Sequence, residues 1–64
     1  MKIDVKRIRA EMARQQKGSA TMCATTGLSK AGFAQVLRHG SCRPETAGKI
    51  AEALGIDPYE IILD

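Results

Sequence analysis

The sequence predicts an all-α protein in which five short helices form a single domain over residues 1–64. Apolar residues recur at intervals of three and four along most of the chain, which is the periodicity of amphipathic helices. Glycine, serine, aspartate or proline stands wherever one periodic segment gives way to the next, and these residues cap or end helices. Phe33 and Tyr59 are the only aromatic residues, and helix-favouring residue types dominate the composition.

The first two predicted helices lie before residue 27. Asp4 is the expected N-cap of helix 1, and the polar stretch 15–18 ends that helix. Helix 1 carries apolar residues at helical spacing on one face: Val5, Ile8 and Met12. Helix 2 runs from about Ser19 to Thr26, with its cap at either Gly18 or Ser19.

A tight corner at Gly27-Leu28-Ser29 separates helix 2 from helix 3. Gly27 suits the left-handed backbone of a helix C-terminus, and Ser29 is a good N-cap. Helix 3 ends near His39, with Gly40 as its stop. The apolar residues around the corner turn both helices toward one core: Met22, Cys23, Leu28, Phe33 and Val36. Two helices joined by a short glycine-containing turn form a helix-turn-helix, a motif that usually places its second helix in the DNA major groove.

The last two predicted helices follow the same rules. Pro44 suits the first position of helix 4, and Gly55 ends it. The inward face of helix 4 repeats at i, i+3, i+4 and i+7: Ala47, Ile50, Ala51 and Leu54. Helix 5 begins with Asp57 as its cap, Pro58 at its first position and Glu60 completing a capping box.

Charge is divided unevenly along the chain. Residues 1–43 hold nine Lys and Arg against two acidic residues, a net charge of +7, whereas residues 44–64 hold one Lys against five acidic residues, a net charge of −4. One side of the molecule is therefore expected to attract a polyanion. The competing interpretation is an ordinary solvated surface with uneven charge.

Several function classes lack their usual sequence features. No apolar run approaches the roughly 18 residues of a membrane span, and no signal peptide is evident, so we expect a cytoplasmic protein without a membrane partner. Two cysteines and one histidine do not complete a zinc site, so no metal and no cofactor are expected. With no nucleophile elbow and no phosphate-binding glycine loop, we expect neither an enzyme nor a small-molecule substrate.

Residues Ser19–Arg38 and the later block RPETAGKIAEALGIDPYEII together resemble the phage repressor and Cro type of helix-turn-helix domain, the XRE family. The family pattern is a small residue, three others, glycine, an apolar residue and serine or threonine, which here spans Cys23 to Ser29. The resemblance covers about residues 5–63. It departs from the family at Cys23, where alanine is usual, at Ser19, where many members have glutamine, and at Gly32 inside helix 3.

This resemblance implies a lambda-repressor-like fold and sequence-specific binding of double-stranded DNA by a small transcriptional regulator. Helix 3 would enter the major groove, where Gln35 can pair with adenine and Lys30 with guanine. The implied base-contacting residues are Lys30, Ala31, Ala34 and Gln35. The implied phosphate-contacting residues are Ser19, Ser29, Arg38, His39 and Arg43, with Arg9 or Arg14 as further candidates. Each has a structural alternative, such as a helix cap for Ser29 or a solvated helix face for the arginines.

A single domain with two long base-reading side chains is expected to bind weakly, which favours a homodimer on DNA. The candidate interface is the apolar side of helix 5, at Tyr59, Ile62 and Leu63; packing onto helix 1 is the competing explanation for these residues. The alternative function is an antitoxin-like or regulatory module that binds another protein, since a fold does not fix a function.

Overall fold

The computed structural model describes residues 1–64 and is all-α, as the sequence predicts. Four α-helices follow one another along the chain: α1 (Val5–Arg14), α2 (Ser19–Thr26), α3 (Lys30–His39) and α4 (Pro44–Leu54). They are joined by connections of three or four residues, which are ordinary lengths for compact helical domains. One 3-10 turn, Pro58–Glu60, follows α4.

The predicted helix boundaries are confirmed by their capping geometry. Asp4 Oδ1 accepts a hydrogen bond from the Arg7 N–H at 3.0 Å, and Ser29 Oγ accepts one from the Gly32 N–H at the same distance. Gly27 has φ of +79°, a left-handed conformation that allows a sharp exit from α2. Of the two candidates for the α2 cap, the structure selects Gly18.

A single 3-10 turn stands where the sequence predicts a fifth helix. Its capping box forms as expected, because Asp57 Oδ1 accepts from the Tyr59 N–H at 2.8 Å and Glu60 Oε2 accepts from the Asp57 N–H at 3.3 Å. Beyond the turn, however, the Ile61 carbonyl accepts from the Asp4 N–H at 2.7 Å. The N–H groups of Ile61 and Ile62 still donate to the Pro58 carbonyl, and from Leu63 onward pairing with the start of the chain replaces helical hydrogen bonds.

The N-terminal segment, residues 1–3, lies between two other segments, residues 40–42 and 61–63. On one side the Ile3 N–H donates to the Gly40 carbonyl, and on the other the Leu63 N–H donates to the Lys2 carbonyl, both at 3.0 Å. Two isolated antiparallel bridges result, Lys2 with Ser41 and Ile3 with Ile62. Because the N-terminal segment pairs with both, it holds the α3–α4 connection and the C-terminal segment together.

The hydrophobic core is shared by all four helices and both terminal segments. Its ten buried residues are Ile3, Ile8, Met22, Phe33, Ala47, Ile50, Ala51, Ala53, Leu54 and Ile61. The residues predicted to face the core around the corner do so, with Met22 and Phe33 buried and Cys23, Leu28 and Val36 packed against them. The orientation of α3 is thereby set by its inner face, which leaves the opposite face open.

One carboxylate is buried beside this core. Glu11 is 8 % exposed, and its Oε1 accepts hydrogen bonds from Arg14 at 2.7 and 3.1 Å and from Gln15 at 3.3 Å. The bond from Arg14 holds the pKa of Glu11 below its usual range, although burial acts in the opposite direction. Gln15 also donates to the Leu54 carbonyl at 2.7 Å, so this cluster joins the end of α1 to the end of α4.

Candidate nucleic-acid interface

The outward face of α3 is an exposed stripe of two small and three long polar side chains. It consists of the predicted base-contacting residues and one predicted phosphate-contacting residue: Lys30, Ala31, Ala34, Gln35 and Arg38. Phe33 is buried on the opposite face, with Val36 and Leu37 half-buried beside it. The structure therefore brings the predicted base-contacting residues together on one solvent-facing surface.

A shallow groove borders one flank of this stripe, and we call it the α1–α3 groove. Its polar lining comes from Arg9 on α1, Ser19 at the start of α2 and Lys30 at the start of α3. Its apolar lining comes from α3 alone, at Phe33, Ala34 and Leu37. The groove has no carboxylate in its lining, so its two cations face solvent without a competing anion.

A second groove, the α3–α4 groove, borders the other flank. Its lining comes from α3, the connection that follows it and the first turn of α4: Gly32, Gln35, Val36, His39, Ser41, Cys42, Arg43 and Thr46. Burial raises the pKa of the Cys42 thiol, so this side chain stays neutral near pH 7 and adds no negative charge. The predicted phosphate contacts His39 and Arg43 thus lie together on one side of α3, opposite Ser19.

The helices that flank α3 begin without side-chain caps. Gly18 precedes α2 and Arg43 precedes α4, and neither supplies an acceptor for the first turn. α1, α3 and the 3-10 turn, by contrast, are capped by Asp4, Ser29 and Asp57. The unpaired N–H groups at an uncapped helix start, together with the positive end of the helix dipole, favour an anion. One such helix start lies beside each groove, at Ser19 and at Arg43.

Ion pairing separates the basic residues into two sets. Arg7 contacts Glu60 at 2.6 Å and Glu11 at 3.4 Å, Arg14 contacts Glu11 at 2.7 Å, and the Lys17 ammonium donates to a carbonyl of α4 at 2.6 Å. None of the remaining cations at the grooves and on α3 forms an ion pair within the protein; these are Arg9, Lys30, Arg38 and Arg43. Sequence reasoning left Arg9 and Arg14 equivalent, although the i,i+3 spacing of Glu11 and Arg14 within α1 is a local signal that distinguishes them.

Ser29 serves as the cap of α3, which is the structural alternative to a phosphate contact. Its oxygen accepts from the Gly32 N–H, and its hydroxyl hydrogen has no acceptor within the protein. A Cβ built on Gly32 would lie 3.0 Å from this oxygen, and no atom of α2 lies within 4 Å of it. Gly32 therefore makes room for the Ser29 cap, and its lack of a side chain serves no close contact with α2.

The predicted dimer-interface residues differ in exposure. Tyr59 is 88 % exposed and Leu63 is 63 % exposed, whereas Ile62 is half-buried against the core. Ile62 forms its bridge with Ile3, so the segment pairs through its backbone with the N-terminal segment, and Glu60 beside it contacts Arg7 of α1. Tyr59 and Leu63 are left as the open apolar side chains of the C-terminal segment.

None of the helices combines the length and apolar character needed to cross a membrane. Both cysteines are free thiols. Comparison of the chain with protein-family models, with curated proteins and with solved structures yields no match.

Proposed function

We propose that this protein binds double-stranded DNA with sequence specificity and acts as a small transcriptional regulator of the repressor and Cro kind. The observation that carries the proposal is the exposed stripe of α3, which has on each flank a groove with unpaired cations and an uncapped helix start. A B-form major groove, about 12 Å wide, accepts one α-helix between two phosphate backbones. The stripe would face the base edges while each flanking groove receives one backbone.

The phosphate contacts divide between the two grooves. Arg9 and the start of α2 at Ser19 would hold one backbone, while Lys30 beside them reaches a base edge. Arg43, His39 and the start of α4 would hold the other, with Arg38 on the exposed stripe between them. Contacts of this kind fix the register of the protein on the duplex and carry no sequence information. Together these groups account for binding to any DNA, and the base contacts must supply the preference for one site.

The fold proposed here is lambda-repressor-like. Its support is the order of four helices, the sharp corner at Gly27 between α2 and α3, and a capped segment at Asp57 after α4. The 3-10 turn at Pro58–Glu60 would then replace the fifth helix of that arrangement. In such a fold α2 lies across the backbone and α3 enters the groove.

We further propose a homodimer on DNA. Of the residues assigned to base edges, only Lys30 and Gln35 can form bidentate contacts with purines, each of which gives about 1–3 kcal/mol of discrimination. Two half-sites about 34 Å apart would double this limited preference. The open side chains of Tyr59 and Leu63 are the proposed contact between the two copies.

The test is selection of binding sites from random DNA duplexes, followed by salt titration of the selected duplex. The apparent association constant should fall with a log–log slope of about −0.9 for each phosphate neutralised, or roughly −3 for the three unpaired cations assigned to phosphates, Arg9, Arg38 and Arg43. The absence of an enriched sequence, or an affinity that does not change with salt, would contradict the proposal.

A matched pair of arginine variants on α1 sharpens this test. Arg9→Gln should reduce the salt slope by about 1, because Arg9 lies in a groove. Arg14→Gln should leave the slope unchanged below its unfolding temperature, because Arg14 is held by Glu11. Equal slopes for the two variants would show that the α1–α3 groove does not contact a phosphate.

The second candidate function is a module that binds another protein, and the exposure of Tyr59 favours it, since tyrosine is enriched among the residues that dominate protein interfaces. Binding through an apolar surface would persist at high salt. Substitution Tyr59→Ser would then abolish binding of the partner, whereas the DNA proposal predicts only weaker association between two copies.

A further inference from the structure

We infer that Lys30 and Gln35 read bases on opposite strands of the duplex. The recognised half-site would hold a guanine on one strand and, within about two base pairs of it, an adenine on the complementary strand. This inference rests on the proposed function and adds to it the strand and the spacing of the two purines.

The first support is the position of the two side chains around α3. An α-helix turns about 100° per residue, so Lys30 and Gln35 point about 140° apart. Ala31, Ala34 and Arg38 fall between them around the helix. The two side chains assigned to purines therefore leave from the two edges of the exposed stripe, with Arg38, which is assigned to a phosphate, between them.

The grooves give independent support. Lys30 and Ala34 line the α1–α3 groove, whereas Gln35 and His39 line the α3–α4 groove. Neither purine-reading residue lines both grooves. Each one therefore leans toward a different phosphate backbone when α3 lies between the two.

Each base is attached to its own backbone, so a side chain that leans toward one backbone meets the bases of that strand first. Lys30 would read the strand whose phosphates contact Arg9 and Ser19. Gln35 would read the strand whose phosphates contact Arg43. The two readings then fall on complementary strands.

The chemistry and the spacing follow from the residue types and the helix rise. Lysine donates to the N7 and O6 acceptors of guanine, and glutamine pairs with the N6 and N7 atoms of adenine. Five residues rise about 7.5 Å along α3, and because a helix in the major groove is inclined to the duplex axis, the two purines lie within about two base-pair steps of 3.4 Å. Ala31 and Ala34 between them allow close approach and can contact thymine methyl groups.

The experiment uses the duplex enriched by selection and removes one N7 atom at a time. A 7-deazaguanine is placed at the guanine on one strand, or a 7-deazaadenine at the adenine on the other. Each replacement should weaken binding of the unaltered protein about 2- to 10-fold, which corresponds to the loss of one hydrogen bond. Affinity is measured by fluorescence anisotropy at fixed salt.

Two variants assign each purine to a residue, and two further variants serve as controls. Lys30→Ala should lose its sensitivity to 7-deazaguanine and keep its sensitivity to 7-deazaadenine, and Gln35→Ala should do the reverse. Lys49→Gln, a change at an exposed residue that lines neither groove, should keep both sensitivities. Circular dichroism checks that each variant remains folded, and Lys30→Arg, which can pair with guanine in the same way, should restore the preference.

The outcomes separate this inference from the proposed function. The strand assignment would be overturned if the two sensitive purines lay on the same strand, or if Lys30→Ala removed the sensitivity to both replacements. Either result would leave DNA binding intact. Failure of selection to enrich any duplex would instead remove the proposed function on which the inference rests.

Discussion

Ser29 is the residue at which capping and DNA contact can be measured separately. Its oxygen accepts from the Gly32 N–H at 3.0 Å, and its hydroxyl hydrogen is free to donate to a phosphate. Ser29→Asp keeps the acceptor and replaces the donor with a negative charge. Asp4 already caps α1 in this protein with the same three-residue spacing and the same distance, so the aspartate is expected to cap α3 equally well.

The sizes of the two effects can be worked out from this geometry. Ser29→Ala removes the cap and should cost about 1 kcal/mol of unfolding free energy. In a domain of this size that loss lowers the melting temperature by roughly 4–8 °C. Ser29→Asp should stay within about 0.5 kcal/mol of the unaltered protein, because aspartate and serine are similar N-caps. A carboxylate about 4 Å from a phosphate is repelled by about 1 kcal/mol in water and about 4 kcal/mol at a partly shielded surface.

Thermal unfolding measures the cap, and anisotropy with the selected duplex measures the contact. We expect Ser29→Asp to match the unaltered protein in melting temperature and to bind DNA at least fivefold more weakly, since 1 kcal/mol corresponds to about that factor. Ser29→Thr, which keeps both donor and acceptor, is the control. Unchanged affinity in Ser29→Asp would show that Ser29 is a cap alone and that no phosphate approaches the start of α3.

Three further predictions concern stability, pH and assembly. Gly48→Ala should raise the unfolding free energy by about 1 kcal/mol, because alanine favours the helix and nothing lies within 4 Å of the added Cβ. Gly55→Ala should lower the unfolding free energy by about 1–2 kcal/mol, because Gly55 has φ of +67°. Denaturant titration measures both changes, provided that the slope of free energy against denaturant concentration is the same for each variant. Because the pKa of Glu11 is lowered in the folded protein, this residue stabilises the fold at pH values above about 4.3, the pKa of a glutamate in the unfolded chain. This contribution is lost as the pH falls through the lowered pKa of the native state. The unfolding midpoint of Glu11→Gln should therefore change less with pH below pH 4 than the midpoint of the unaltered protein. Tyr59→Ser combined with Leu63→Ser should reduce cooperativity on two adjacent half-sites without changing affinity for one; unchanged cooperativity would place the contact between copies elsewhere.

Much of the fold could be predicted because its signals are local. Asp4 and Ser29 cap their helices through residues three positions away, and Gly27 ends α2 through its own backbone conformation. The exposed face of α3 could likewise be predicted, because helical periodicity alone determines it once Phe33 is placed inside.

The remaining features depend on partners far apart in the chain. Ile3 and Ile62 pair over too few residues to show a strand pattern, so the sequence predicts helical continuation after Glu60. Arg9 and Arg14 are an exception, because Glu11 lies three residues before Arg14 on the same helix and this spacing alone predicts their ion pair. Each groove and the uncapped helix start beside it form only where several helices meet. The periodicity of a single helix does not predict such a meeting.

The pairing of the N-terminal segment has a consequence for the order of folding. The Lys2 N–H donates to Asp64 Oδ2 at 3.0 Å, a bond between residues 62 positions apart, whereas the helices form from neighbours. Bringing the two ends of the chain together costs conformational entropy before the bonds between them stabilise the fold. These bonds are therefore expected to form last and open first. Brief separation of the N-terminal segment from its two neighbours would expose Ile3 and Ile61 to solvent. It would also free the α3–α4 connection, which contains Arg43. Amide exchange at Ile3 and Leu63 should therefore be much faster than in α4, and the wall of the α3–α4 groove should be the least persistent part of the surface proposed to meet DNA.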